Sequence, residues 1–356
     1  MPLSQTPVSV EAPLRPDEIR AAIAEAPNLR ERDLAARIGI SEAELLAARD
    51  DGWRVTRIEA SPGRLIPAVE GLGEVMALTR NVWCVSEKVG RYTDFHDGVH
   101  AAMTIGDDID LRMFPKHWVH GFHVEKETDA GLRRSIQIFD AAGQSVHKVH
   151  LREASDLGVW DAMRDGLALR DVPPLTVTPV PATEGARVND EKVDALRTEW
   201  ARLTDTHQFL MLCRKMKMNR LGAYRVAGAP FARPLEPKAF GNVIRGVSEC
   251  SVPAMVFVGN TGCIQIHSGP MDRIEPMGPW LNVMDPSFNL HLRDDKVAEV
   301  WAVQKPTRRG PAISVEAFDA DGLLIAQVFG LRKEKIGLDE TKAFAAVVDG
   351  LPDAVS

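Results

Sequence analysis

The chain has 356 residues but few cysteines, no excess of positive charge and no long apolar run. Its four cysteines, Cys84, Cys213, Cys250 and Cys263, form no CxxC pair. That sets aside a disulfide framework and a zinc knuckle, and it suits a reducing cytoplasm. No apolar stretch approaches the roughly 20 residues of a membrane span. The segment Met1–Glu18 lacks the apolar core of a signal peptide. The expectation is a cytoplasmic protein without membrane insertion. A net charge of -7 and a pI near 5.8 argue against general binding to nucleic acid or to an anionic membrane. No flavin or nicotinamide fingerprint is present, so any redox chemistry draws its electrons from outside. What remains is an ordinary globular composition, 45% hydrophobic and 26% charged, long enough for roughly two domains.

The chain is written twice. Asp110-Leu-Arg-Met113 matches Asn289-Leu-His-Leu292, and Ser135-Ile-Gln-Ile-Phe-Asp-Ala-Ala-Gly143 matches Ser314-Val-Glu-Ala-Phe-Asp-Ala-Asp-Gly322. Asn81-Val-Trp-Cys84 matches Asn260-Thr-Gly-Cys263, and the offset is 179 residues each time. Lys126 pairs with Lys305 and Gly90 with Gly269 at the same spacing. A constant, gapless offset implies two copies of one fold. Each copy opens with helices. In the first, Ser41-Glu-Ala-Glu resembles a capping box, and Leu34–Leu45 reads as a helix-turn-helix with Gly39 at the turn. DNA binding by that segment is disfavoured, because its second helix carries two Glu and no cation before Arg49. The second copy carries helices at Asp190–Lys217 and about Arg220–Val226. Alternating strands then follow in both copies, with hairpin turns at Asp140–Gly143 and Asp319–Gly322. The predicted fold is α+β, a tandem duplication with large antiparallel sheets. The first repeat spans 14–171, a Pro-rich linker 172–185 and the second repeat 186–350.

Within the second repeat, Glu199–Cys213 reads as one helix, with Trp200, Leu203, Leu210 and Cys213 on an apolar face. His207 falls on that face, where a histidine is usually a satisfied core residue. Its counterpart in the first repeat falls at Asn28 or Leu29, so this histidine is not duplicated. Arg112 is likewise unmatched, its partner being His291; alone it reads as a strand-face cation in a surface ion pair. Seven of the ten histidines lie between His96 and His150. His96 and His100, and the set His117, His120 and His123, have no carboxylate or cysteine spaced to complete a zinc site. They read as solvated or strand-face residues.

Several stretches together resemble one family. They are Trp200-Ala-Arg-Leu-Thr-Asp-Thr-His-Gln-Phe209, Val256–Gly269, Trp280–Leu292, Ala298-Glu-Val-Trp-Ala-Val-Gln-Lys-Pro-Thr307 and Phe318–Arg332. The sequence is similar, from about Leu14 to Lys335, to the HemS/ChuS/HmuS family of bacterial haemin-degrading and haemin-transfer factors. The resemblance implies one haem per chain, held in a cleft between the halves. It makes His207 the axial ligand to the iron and brings Arg112 to the opposite haem face. It places Lys305 and Arg332 near the propionates and Gln327 in the pocket lining. Phe329 stands where relatives often have a tyrosine, which removes one hydroxyl contact. Ser86 stands where some relatives have a histidine. Imidazole is a good ligand for haem iron, and the group on the other face then sets reactivity.

Two functions are compatible with those residues. One is a haem-degrading enzyme that opens the ring with O2 and an external electron donor, with Arg112 as a hydrogen-bond donor on the distal side. The other is a carrier that takes haem from an import permease and passes it to a separate haem oxygenase. Both need the axial histidine, a distal cation and propionate contacts.

Overall fold

The computed structural model describes residues 14–50, 52–333 and 337–354. Its framework follows from turn chemistry repeated in each half. At the first hairpin, Asp140 Oδ1 accepts from the backbone N–H groups of Ala142 and Gln144, both at 2.9 Å. Gly143 supplies φ 71°, a value that favours glycine. At the second, Asp319 Oδ1 accepts from Asp321 at 3.0 Å and Leu323 at 2.8 Å, and Gly322 has φ 89°. These turns join Gly131–Phe139 to Ser145–Leu151 and Ala312–Phe318 to Leu324–Gly330.

Among the described residues the strands form two nine-stranded antiparallel sheets and one small ribbon. The first sheet runs Trp53–Ile58, His120–Thr128, Gly131–Phe139, Ser145–Leu151, Val75–Arg80 and Cys84–Gly90. It continues into Phe288–Arg293, Trp280–Met284 and Ile274–Met277 of the second repeat. The second sheet runs Ala232–Leu235, Glu299–Lys305, Ala312–Phe318, Leu324–Gly330, Ala254–Gly259 and Cys263–Gly269. It continues into Asp110–Met113, Ala102–Ile105 and Phe95–His96 of the first repeat. Each repeat thus lends three strands to the other's sheet. The joints are the pairings of Cys84–Lys88 with Phe288–Leu292 and of Cys263–Ile266 with Asp110–Met113.

A pseudo-twofold axis passes between equivalent residues. Lys88 Nζ donates to Nδ1 of its own counterpart His267 at 3.3 Å, and Gln265 Nε2 donates to Ser86 Oγ at 3.1 Å, both across 179 residues. Asn81 and Asn260 bridge the repeats reciprocally. Asn81 Nδ2 donates to the carbonyls of Gly259 and Ile325, and Asn260 Nδ2 to those of Arg80 and Val146.

One face of each sheet is core. In the first, Val75, Ala77, Ile136 and Val149 pack with Leu65, Ile66 and Val69 of Pro62–Gly71 and with Trp160 of Leu157–Leu167. In the second, Val256, Val300, Val315 and Val328 pack with Phe240 and Ile244 of Ala239–Glu249 and with Phe344 of Thr341–Asp349. The sequence reading missed these four helices. Three of them carry Gly or Pro, at 62, 63, 67, 71, 158, 166, 241 and 246, and burial of the apolar face outweighs the propensity these cost; Thr341–Asp349 carries neither. On the opposite face of the first sheet lie Glu31–Ile38 and Glu42–Ala47, with Gly39 between them at φ 72°. The helix-turn-helix shape and the Ser41–Glu44 capping box are present. However, Glu42 is only 8% exposed and turns inward to Arg80 and Lys148, so the acidic side of the second helix is spent on the sheet.

Of the histidines read as solvated or strand-face, His96, His120 and His123 lie on strands. His123 is buried, stacked on Trp160 with centroids 3.5 Å apart. His147 is buried between Thr79 Oγ1 at 2.8 Å and the Tyr92 hydroxyl at 2.6 Å. His96 lies in the short strand Phe95–His96, not on a helix with His100.

Candidate functional site

The stretch around His207 is two helices, Val193–Ala201 and Gln208–Lys215, not one. Local side chains break it. Gln208 Oε1 accepts from the Thr204 backbone N–H at 2.9 Å, and Asp205 Oδ1 accepts from the His207 N–H at 2.8 Å. Such bonds offer the backbone an alternative to helical pairing. The buried face of the second helix is Phe209, Leu212 and Cys213, while Leu210 is 45% exposed. His207 is therefore not on an apolar face; its side chain is 91% exposed at the helix N-terminus. Its Nδ1–H donates to the same Asp205 oxygen at 2.6 Å. These two bonds hold the Asp205 carboxyl below its ordinary range, so the acceptor is a carboxylate. With Nδ1 committed to Asp205, Nε2 is the ring nitrogen outside that bond, on a side chain that faces solvent. A histidine held in this way is prepared to bind a metal through Nε2.

The helix of His207 packs on the second face of the second sheet, where Phe209 and Tyr224 meet Trp301 and Phe318. On that face the register aligns Trp301, Glu316, Gln327, Phe257, Ile266 and Asp110 across successive strands. The adjacent row aligns Ile264, Arg112 and Met103. Arg112 thus shares a sheet face with Gln327 and with the layer that carries His207, although it belongs to the first repeat. The strand exchange puts it there. Gln327, Phe329, Phe257, Met255 and Ile264 are each half-buried, and Phe329 packs on Phe257 at 5.0 Å between centroids. The face is apolar with few polar groups, as a flat hydrophobic ligand requires. Arg112 is partly exposed, paired with Asp110 and donating to the Leu111 carbonyl at 3.0 Å.

The remaining expected cations are placed differently. Lys305 is 3% exposed and donates to Glu316 Oε1 at 2.8 Å and to the Tyr224 hydroxyl at 3.1 Å. Arg220 donates to Glu316 Oε2 at 2.7 Å. Burial acts to raise the Glu316 carboxyl, but Lys305 and Arg220 together hold it well below the carboxylate range. Burial lowers the Lys305 ammonium despite Glu316 beside it. Lys305 therefore already has a carboxylate of its own chain, and a propionate reaches it only by displacing Glu316. Arg332 is half-buried, 3.2 Å from Asp339 and donating to Thr341 Oγ1 at 3.1 Å. Ser86 is buried on the pseudo-axis against Gln265, away from the His207 layer. The sequence reading passed over Asp205, Arg220, Glu316 and Tyr224. The Thr204-Asp205-Thr206 turn residues and a Glu inside an otherwise apolar strand were the available signals.

No group of three or more His, Cys, Asp or Glu among the described residues is disposed to hold a metal ion. No helix among them is long and apolar enough to cross a membrane.

The fold and site define a class: duplicated, strand-exchanged proteins with one candidate metal ligand on one of two equivalent sheets. The haemin-degrading HemS.ChuX domain model matches residues 39–167 and 217–351, once in each repeat, and the chain belongs to that family. It is 37% identical over 316 residues to the hemin transport protein HemS of Yersinia enterocolitica, covering 88% of this chain and 90% of that protein. The structure superposes on holo-PhuS, a heme-binding protein from Pseudomonas aeruginosa, with TM-score 0.89 and 39% identity, covering 96% of this chain and all (100%) of that one. It also superposes on ChuS, a heme-degrading enzyme of Escherichia coli O157:H7, with TM-score 0.85 and 31% identity over 94% and 97% of the two chains. Arg112, Lys305, Gln327, Phe329 and Arg332 fall inside the matched segments, whereas His207 falls between them.

Proposed function

We propose that this chain binds one haem through His207 and degrades it to release iron. The observation that carries the reading is the solvent-facing imidazole whose Nδ1 is taken up by Asp205. Haem suits the site because it brings four equatorial nitrogens and needs from the protein an axial donor and an apolar face. Arg112, on the same face of the sheet as the His207 layer, is the distal hydrogen-bond donor. Gln327 and Phe329 line the pocket, and Phe329 offers a ring without a hydroxyl. Arg332 is a cation for a propionate, exchanging its contact with the half-exposed Asp339. Lys305 contributes only if Glu316 gives way. An external reductant and O2 supply the oxidative chemistry, and the chain acts in the cytoplasm.

The second reading, a carrier between an import permease and a separate haem oxygenase, is favoured by the exposure of His207, which leaves the ligand accessible for hand-over. Single turnover of the haem complex with reductant, O2 and catalase decides between them. Loss of the Soret band with appearance of a linear tetrapyrrole supports degradation. Loss only when catalase is omitted is coupled oxidation by free peroxide and supports the carrier. In either case His207→Ala is expected to displace the ferric Soret band and weaken haem binding. An unchanged spectrum and affinity would remove His207 from the site.

A further inference from the structure

We infer that Asp205 is a positioning residue that fixes the ring and tautomer of His207 and strengthens its donation to the iron; this rests on haem binding at His207. One oxygen, Asp205 Oδ1, accepts both the His207 backbone N–H at 2.8 Å and the ring Nδ1–H at 2.6 Å. The first bond sets where the helix Gln208–Lys215 begins, and the second sets where the ring points. The turn carrying both residues is itself anchored. Gln208 bonds Thr204 from the helix side, and the Arg308 N–H donates to the Thr204 carbonyl at 3.1 Å from the hairpin after Lys305. The His207 ring has no buried wall around it, so the carboxylate is what orders an otherwise mobile side chain. A charged acceptor on Nδ1–H makes Nε2 more basic, and such a partner is typically worth about 10- to 100-fold in metal affinity. Electron density pushed onto the iron also favours its ferric form.

An Asp at this place also makes an ordinary turn. The test must therefore separate shaping the backbone from charging the ring. Asp205→Asn keeps an oxygen that accepts the His207 N–H and removes the charge, and Asp205→Glu restores the charge on a longer arm. The readouts are the iron–histidine stretching band of the ferrous haem complex and its ferric/ferrous midpoint potential. For Asp205→Asn the band is expected at lower frequency, the potential higher and haem affinity about 10- to 100-fold weaker. Asp205→Glu is expected to recover part of each. A band and potential unchanged in Asp205→Asn, with haem bound, would overturn the inference and leave Asp205 as a turn former. If the band persists in His207→Ala, the axial assignment fails instead, and the two failures are distinct.

Discussion

Glu316 is the residue whose removal the structure prices most sharply. Its carboxylate is fully buried (0% exposed) and holds Lys305, Arg220 and Ser314 within 2.8, 2.7 and 2.9 Å. Glu316→Gln preserves shape but leaves two cations facing a neutral amide whose NH2 can accept from neither. Breaking a buried ion pair costs about 3–5 kcal/mol, because the stranded charge is uncompensated. Lys305, at 4% side-chain exposure, cannot reach water, whereas Arg220 at 23% can. Lys305→Met in the Glu316→Gln background should therefore recover part of the loss. Urea unfolding at neutral pH, followed by tryptophan fluorescence, measures both the single and the double variant. A loss under about 1 kcal/mol for Glu316→Gln would place the cluster in the range of exposed pairs and refute the reasoning. Additive losses in the double variant would do the same for the coupling. The linkage has a definite sign. The folded Glu316 carboxyl lies below its unfolded value, so its contribution is present above about pH 4.5 and is lost as pH falls below it. Glu316→Gln should flatten that limb of the acid profile.

Two further outcomes follow from buried polar groups. Burial pushes the His147 ring down to about 3, from an ordinary 6.5. The unfolded chain then binds the extra proton between those values, so stability falls as pH drops from about 6.5. His147→Gln, which keeps hydrogen bonding to Thr79 and Tyr92, should reduce the slope of unfolding free energy over that range; an identical slope would contradict the assignment. Asn260→Ala strands the carbonyls of Arg80 and Val146 and the N–H groups of Gly262 and Cys263, with an expected loss of about 1–3 kcal/mol. A urea midpoint indistinguishable from wild type would show that the bridge between repeats is not stabilising.

Much of the fold was legible because duplication marks what both copies need. The hairpins at Asp140 and Asp319 and the Asn81 and Asn260 bridges lie at the repeat spacing, and each has a local chemical reason to persist. The helices at 62–71, 157–167 and 239–249 carry glycines or prolines that burial tolerates, whereas Thr341–Asp349 carries neither and was simply passed over. The His207 segment misled in the opposite way. Trp200, Leu203, Leu210 and Cys213 keep helical spacing across a turn, so periodicity joined two helices that Asp205 and Gln208 separate. The resemblance put Lys305 near a propionate, and spacing along its strand does not reveal that Glu316 sits beside it on the next.

The strand exchange explains why two copies of one fold carry one candidate site. Had each repeat kept its own strands, Arg112 would face the first repeat's helices, and His207 would look onto a sheet built only from its own half. Exchange sends Asp110–Met113 into the second sheet and Phe288–Arg293 into the first. Each outer face thus receives residues of the opposite repeat, Arg112 among them on one and His291 on the other. The faces then diverge through charge. On the second sheet Gly259 and Gln327 bring no charge to the face that carries Arg112. On the first, the equivalent strand positions hold Arg80 and Lys148, pinned by Glu42 from the overlying helix. That ion cluster fills the first face with its own charges, and Asn28 or Leu29 stands at the repeat offset of His207. The asymmetry therefore resides in a few side chains on a symmetric frame, and those side chains give the two faces different charge.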